Sequence, residues 1–216
     1  MTTAAKSLPL KKTASFYDRI ADVHNLALKL NGYRDSVAKF LKSLELDIGP
    51  DSMALDAGSG TGIVTLAFHQ AGYRPAKTVA FDLSGNSLQI ATEQAGKEKF
   101  ADSENIVAVQ GNILKMPFAD ESYDLVLSCG VLEYVPLDDG LREFARVLKP
   151  GGQLVLLPVK PSLVGSVLEL LYNFKIHPPE NVRRTAREYF NIISETEFPV
   201  AEPISWSKVI FLLEKK

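Results

Sequence analysis

Cysteine is almost absent from this chain: Cys129 stands alone among 216 residues. No disulfide can form within it, which suits a reducing compartment. Histidine is scarce as well. His24, His69 and His177 lie far apart and, with one cysteine, offer no zinc-ligand spacing, so no metal is expected. No apolar run reaches the roughly 18 residues of a membrane span, and the first residues carry no apolar signal core. Neither sign of charge predominates. The 24 Lys and Arg meet 26 Asp and Glu, so no global field favours nucleic acid. There is no internal repeat or low-complexity linker. These absences lead us to expect a cytoplasmic protein with no nucleic-acid partner and no stable membrane insertion. They leave oligomeric state open.

What is present is enough for one domain with a full core: 46% of residues are hydrophobic and 23% charged, an ordinary globular balance. The chain is organised around Met53-Ala54-Leu55-Asp56-Ala57-Gly58-Ser59-Gly60-Thr61-Gly62-Ile63-Val64-Thr65. An apolar run, an acid, alternate glycines and an apolar helical pattern read as strand, tight turn and helix. Glycine lets a ligand approach the backbone without meeting a Cβ. A phosphate-binding P-loop would need Lys after the last glycine, and none follows Gly62. The dinucleotide fingerprint would need glycine where Ile63 stands. Asp56, two residues before the first glycine, suits a ligand bearing positive charge better than a pyrophosphate.

The residues downstream alternate strands with helices, which argues a parallel α/β sheet. Strands are expected at 52–57, 77–82, 105–110, 124–129 and 153–159, with further strand-like runs at 190–196 and 206–213. Upstream, residues 1–12 lack periodicity and are expected to be loose. Phe16, Ile20, Val23, Ala27 and Leu30 mark one helix face, and Val37, Phe40, Leu41 and Leu44 a second. Asp82 closes the second strand, where an acid reaches a ribose in a doubly wound sheet; the plainer alternative is a cap for the helix starting near Ser84. Asp138-Asp139 can cap a helix carrying Leu141, Phe144, Ala145 and Leu148. Lys149-Pro150-Gly151-Gly152 turns into the fifth strand. Residues 162–174 form a helix more hydrophobic than a one-faced cover needs. It could line an apolar pocket, touch a membrane or meet another subunit, although core burial is the commonest reason. Arg183, Arg184 and Arg187 could meet an anion or form a solvated face.

Taken together, the Gly-x-Gly-x-Gly turn behind Asp56, Asp82, Gly111-Asn112, the block from Phe118 to Val135 and Arg146-Val147-Leu148-Lys149-Pro150-Gly151-Gly152 resemble the class I S-adenosylmethionine-dependent methyltransferases. The lead-in Phe16-Tyr17-Asp18-Arg19-Ile20-Ala21 and Met116-Pro117-Phe118 resemble the small-molecule, quinone-biosynthesis type (methyltransferase domain type 11). The likeness covers roughly residues 50–160, half the chain. It implies a doubly wound, seven-stranded, mostly parallel Rossmann-like sheet with helices on both faces and an antiparallel last strand. It implies a single domain over 13–216, with lid helices at 13–48 and a helical substrate-side insertion at 160–190. The cofactor would be S-adenosyl-L-methionine, its product S-adenosyl-L-homocysteine, and the partner a small-molecule methyl acceptor; an apolar one is what the hydrophobic 162–174 helix would suit.

The resemblance also assigns residues. Asp56, Gly58, Ser59, Gly60 and Gly62 would hold the amino-acid end of the cofactor. Asp82 and Leu83 would meet the ribose, and Asn112 and Ile113 the adenine. Asn112 departs from the acid usual there; its amide oxygen can still accept a hydrogen bond. Cys129 would line the cleft, as a small residue rather than a nucleophile, since no His or Asn pattern points to activation. Glu133 and Tyr134 stand where many relatives carry a histidine. They are candidates to orient or deprotonate the acceptor, against the alternative of a helix start or surface position. Tyr17 and His24 are candidate lid residues. The pattern Ser128-Cys129-Gly130-Val131 lacks the Asn/Asp-Pro-Pro-aromatic of nucleic-acid N-methyltransferases, and Glu133 lacks the second glutamate of arginine methyltransferases. A non-catalytic binding module and, less favoured, a nicotinamide-dependent oxidoreductase are the rival readings.

Overall fold

The structure, a computed structural model, describes residues 32–98 and 103–216. The helix expected over residues 15–30, with Tyr17 and His24, and the expected loose stretch 1–12 lie outside the described residues. Strand β1 is Met53–Ala57, β2 Lys77–Asp82, β3 Ile106–Gln110, β4 Tyr123–Cys129, β5 Leu148–Leu157, β6 Phe190–Glu197 and β7 Val209–Lys215. Helices are α1 Tyr33–Ser43, α2 Ile63–Gln70, α3 Gly85–Ala95, α4 Leu137–Val147, α5 Leu163–Tyr172 and α6 Pro179–Tyr189. The seven strands form one sheet in the order β3-β2-β1-β4-β5-β7-β6. Six run in one direction, and β7 alone is antiparallel, to both of its neighbours, β5 and β6. This is the doubly wound sheet with helices on both faces.

Why the central strands form is plain from their side chains. A parallel strand covered on both faces needs apolar residues at every position, and successive side chains alternate between faces. Leu125 and Leu127 of β4 are buried on one face with Val37 and Leu41 of α1 and with Val64, Ala67 and Phe68 of α2. Val126, on the opposite face, is buried with Leu141 and Phe144 of α4 and with Val182 and Ala186 of α6. The edge strand β3 is half exposed, because only one neighbour pairs with it.

Three local expectations need correction. Strand β5 begins at Leu148, not near 153, because the ladder does not stop at the proline. Tyr123 pairs with Leu148 and Leu125 with Gln153, so Pro150-Gly151-Gly152 form a bulge within the strand. Proline cannot donate to a ladder and is tolerated at such a bulge. The N-cap of α4 is Pro136, with Asp138 and Asp139 inside the first turn. There they complement the helix dipole and pair with Arg142 instead of capping. The last strand starts at Val209, after a short 3-10 turn over Pro203–Trp206. Where the acid before α3 could have been its cap, Ser84 takes that place: its side chain accepts from Ser87 N at 3.0 Å. Arg146 also gains a role, since Nη1 and Nη2 donate to the carbonyls of Phe118 and Met116 (2.8 and 3.1 Å) and so hold the loop before β4.

Candidate functional site

The strand order reverses direction about β1, between β2 and β4. In open α/β sheets the crevice beyond the carboxyl ends of the strands at such a point is where ligands bind. A cleft of about 290 Å³ lies there. Its walls come from the glycine turn after β1, Asp82-Leu83-Ser84 after β2, Gly111-Asn112-Ile113 after β3 and Cys129-Gly130-Val131 after β4. Tyr33 of α1, Tyr134 and Val135, Val159, Leu168 and Tyr172 of α5, Phe174, and Ser207-Lys208 complete it.

The glycine turn has a packing reason as well as a functional one. Gly58 has φ +79°, and a Cβ on it would lie 2.5 Å from Val131 Cβ, so only glycine lets the turn close on the β4 loop. The turn spends its own donors. Gly58 N and Ser59 N both donate to Phe81 O, and Gly62 N donates to Ser59 O. Gly60 N donates to Asp82 Oδ2 at 2.8 Å, while Ser84 N donates to Asp82 Oδ1 at 2.8 Å. A pyrophosphate cradle needs such N–H groups aimed outward. Here they turn inward, and Asp82 is fixed against the turn. Ser59 is different: its Oγ is buried without a hydrogen-bond partner in a residue that lines the cleft. An orphaned hydroxyl at the cleft wall, beside a Gly60 with nothing within 4 Å of a would-be Cβ, fits a polar ligand pressed against the turn.

The sequence-selected residues divide accordingly. Gly58, Ser59, Gly60, Asp82, Leu83, Asn112, Ile113, Cys129 and Tyr134 line the cleft. Asp56 and Gly62 are not among its lining residues. Asp56 is 1% exposed, and Thr65 Oγ1 donates to its Oδ2 at 2.6 Å, tying β1 to the first turn of α2. Burial pushes its carboxyl up to about 7, against the Thr65 hydrogen bonds that pull it down. Its Oδ1 has no hydrogen-bond partner. Asn112 Oδ1 accepts from Leu114 N at 2.9 Å, so the amide first shapes its own turn. Glu133, placed by its sequence position as a candidate for acceptor chemistry, is not among the lining residues. Its Oε1 accepts the Val159 N–H, and its backbone carbonyl accepts from Lys175 N at 3.0 Å. One carboxylate oxygen thus holds the chain just past β5, the backbone carbonyl holds the segment after α5, and Oε2 is buried without a hydrogen-bond partner. Arg183 pairs with Glu195, and Arg184 donates to Asn181, so neither belongs to the cleft.

Titration along the cleft wall is informative. Burial, followed by the neighbouring Cys129, holds the Tyr33 phenol well above its usual value. Burial, followed by Tyr172, does the same for Tyr134. Both phenols therefore stay neutral, and Tyr33 Oη lies 3.1 Å from Cys129 Sγ. Among the described lining residues, Asp82 is the only carboxylate and there is no imidazole. Leu168 and Phe174 come from the hydrophobic 162–174 stretch, for which pocket lining is one of the expected uses, whereas Tyr33 and Lys208 had no distinguishing signal in the sequence. Each of the latter two reaches the cleft through a tertiary contact that no local pattern marks.

A methyltransferase-domain family model matches residues 55–156. The ubiquinone/menaquinone biosynthesis C-methyltransferase UbiE of Shewanella frigidimarina is 32% identical over 177 residues, 74% of this chain and 68% of that protein. The UbiE protein of Rhizobium rhizogenes is 31% identical over 68% of this chain and 55% of its own length. The demethylmenaquinone methyltransferase of Thermobifida fusca is 31% identical over 70% and 64%. The match thus spans between about half and two thirds of these relatives' length. Among solved structures, geranyl diphosphate C-methyltransferase from Streptomyces coelicolor A3(2) has a TM-score of 0.72 at 18% identity, covering 99% of this chain and 100% of that one. The [4+2]-cyclase SpnF reaches 0.77 at 15% identity, with 99% of each chain covered. At such identities the structures establish the shared fold, and a cyclase among them illustrates that a fold alone does not decide a reaction. On the relatedness of the sequences, this chain belongs to the class I S-adenosylmethionine-dependent methyltransferases, similar to those of quinone biosynthesis.

Proposed function

We propose that this protein transfers a methyl group from S-adenosylmethionine to a small, largely apolar molecule. The observation that carries the reading is the cleft's two-sided lining. Polar residues from the turns at the ends of β1, β2 and β3 occupy one side, and Leu168, Tyr172, Phe174 and Tyr134 form an apolar, aromatic wall on the other. In this reading the Ser59 hydroxyl and the glycine turn meet the amino-acid end of the cofactor. Asp82 accepts from the ribose, and Asn112 and Ile113 meet the adenine. Asp56 acts from behind the turn, holding it against α2.

When bound, the cofactor supplies a methyl group already activated by its sulfonium. The chain's task is then alignment and exclusion of water. Tyr33 and Tyr134, both neutral phenols, line the cleft without competing as nucleophiles. The apolar wall keeps water from the acceptor. No base is required of the protein when the acceptor arrives already deprotonated. We assign residues 160–190 to the acceptor side, since Leu168, Tyr172 and Phe174 come from there. The reading also keeps the protein in the cytoplasm, with no nucleic-acid partner; among the described residues no helix is long and apolar enough to cross a membrane.

Calorimetry with S-adenosylhomocysteine, followed by labelled-methyl transfer into fractionated small-molecule extract, tests the proposal. We expect cofactor-product binding and label in an apolar fraction. No heat with either S-adenosylmethionine or its demethylated product would sink the enzyme reading, and binding of a nicotinamide dinucleotide in their place would restore the oxidoreductase.

A further inference from the structure

The part of the cleft beyond β4 holds a cation that the cofactor reading leaves unused. Lys208 is 7% exposed and lines the cleft. Its Nζ donates to Leu157 O at 3.3 Å, and it forms no salt bridge among the described residues. An ammonium carries three donors and is costly to remove from water without an anion nearby. One long bond to a carbonyl leaves most of that demand unmet.

Its position is set by two backbone features. Lys208 bridges antiparallel to Val159, just past the end of β5. Gly130, at the end of β4, has φ +71°, and a Cβ there would lie 3.0 Å from Lys208 Nζ. The missing side chain is what admits the ammonium over the β4 end. In the sheet order, Asn112, Asp82 and the glycine turn follow β3, β2 and β1, whereas Lys208 sits on the β5 and β7 side of β4. It therefore shares its side of the cleft with the aromatic wall. There Tyr134 and Phe174 meet edge to face, with centroids 5.5 Å apart.

We propose that Lys208, admitted by Gly130, is a positioning residue for the methyl acceptor, and that this acceptor carries an ionised oxygen (phenolate, enolate or carboxylate) on a flat apolar body. The inference rests on the methyltransferase reading above and specifies its acceptor. A fixed positive charge favours the ionised form of a bound acid. It thus does for the acceptor what a general base would otherwise do, in a cleft whose described lining offers none on that side.

The test uses binding to the full chain saturated with S-adenosylhomocysteine. The probes are 4-hydroxycoumarin (an enolate at neutral pH), 2-naphthoate (a carboxylate) and their neutral counterparts coumarin and naphthalene. In the unmodified protein we expect at least one anionic probe to bind roughly tenfold or more tightly than its neutral counterpart, the scale of one charge-assisted hydrogen bond. Which anion gains more distinguishes an enolate from a carboxylate acceptor. Lys208→Met keeps the buried stem and should erase the preference while leaving homocysteine-product affinity unchanged. Lys208→Arg should retain part of it. Equal binding of charged and neutral probes to the unmodified, product-bound protein overturns the inference and needs no variant. So does a large loss of product affinity in Lys208→Met, which would assign the cation to the cofactor. Failure of the unmodified protein to bind the product at all is the distinct result that removes the methyltransferase reading, and this inference with it.

Discussion

Gly58 shows how one residue carries both packing and function. A side chain there meets Val131 and must hold a left-handed backbone at φ +79°. Gly58→Ala should lower stability by about 1–3 kcal/mol and weaken cofactor-product binding, read by urea unfolding and calorimetry. Asp56 supplies a pH signature. Its carboxyl titrates near 7 because it is buried, against about 3.9 in an unfolded chain. The folded state therefore binds the proton more tightly. The stability this residue contributes is complete below about pH 4 and is lost as pH rises towards about 7. Asp56→Asn should remove that slope. We expect the stability difference between the variant and the unmodified protein to move in the variant's favour as pH climbs through this window, measured by denaturant unfolding at several pH values. An unchanged difference would mean that Asp56 is ionised throughout. Asp56 was legible in the sequence as an acid before a glycine turn. That it lies behind the turn was not, because its hydrogen bond to Thr65 forms only once strand and helix have packed.

At the level of elements, the strands were readable because burial on both faces demands continuous apolar runs, as in Ala54-Leu55 and Leu125-Val126-Leu127. The exception, β5, ran longer than expected because a bulge lets the ladder pass Pro150. The cap of α3 was also local: Ser84→Ala should cost about 1 kcal/mol, seen as a lower urea midpoint with unchanged slope. The helix α5 could not be settled from its composition. Its hydrophobicity suggested burial, yet Leu163 and Leu170 are 90% and 83% exposed, and Gly165 is its one fully buried residue. Leu168 and Tyr172 face the cleft instead. Leu170→Ser should accordingly change stability by no more than about 0.5 kcal/mol, whereas a core position would lose several times that. Thermal denaturation of this variant distinguishes the two.

For the whole molecule, the cleft joins segments that are distant along the chain, so a ligand filling it should stabilise the fold as a unit. S-adenosylhomocysteine at about a hundred times its Kd should add about 2.7 kcal/mol, visible as a raised Tm. Asp82→Ala should lose most of that shift at the same ligand concentration, because it removes a carboxylate from the cleft and frees the Gly60 and Ser84 N–H groups it holds. An equal shift in the variant would take Asp82 out of the ligand site.

The sequence by itself determined the doubly wound sheet, the glycine turn and the acid that ends β2, since these depend on residue spacing, alternating burial and turn chemistry within one strand–helix–strand unit. It did not determine the far wall of the cleft. Tyr33 and Lys208 acquire their places there, and Glu133 its place outside the lining, through contacts spanning many residues: a phenol beside Cys129, an ammonium over Gly130 and a carboxylate bonded to the Val159 N–H. Such contacts leave no periodicity in the chain. They exist only after β4, β5 and β7 lie side by side, and it is there that the tertiary structure decides which molecule the cleft can accept.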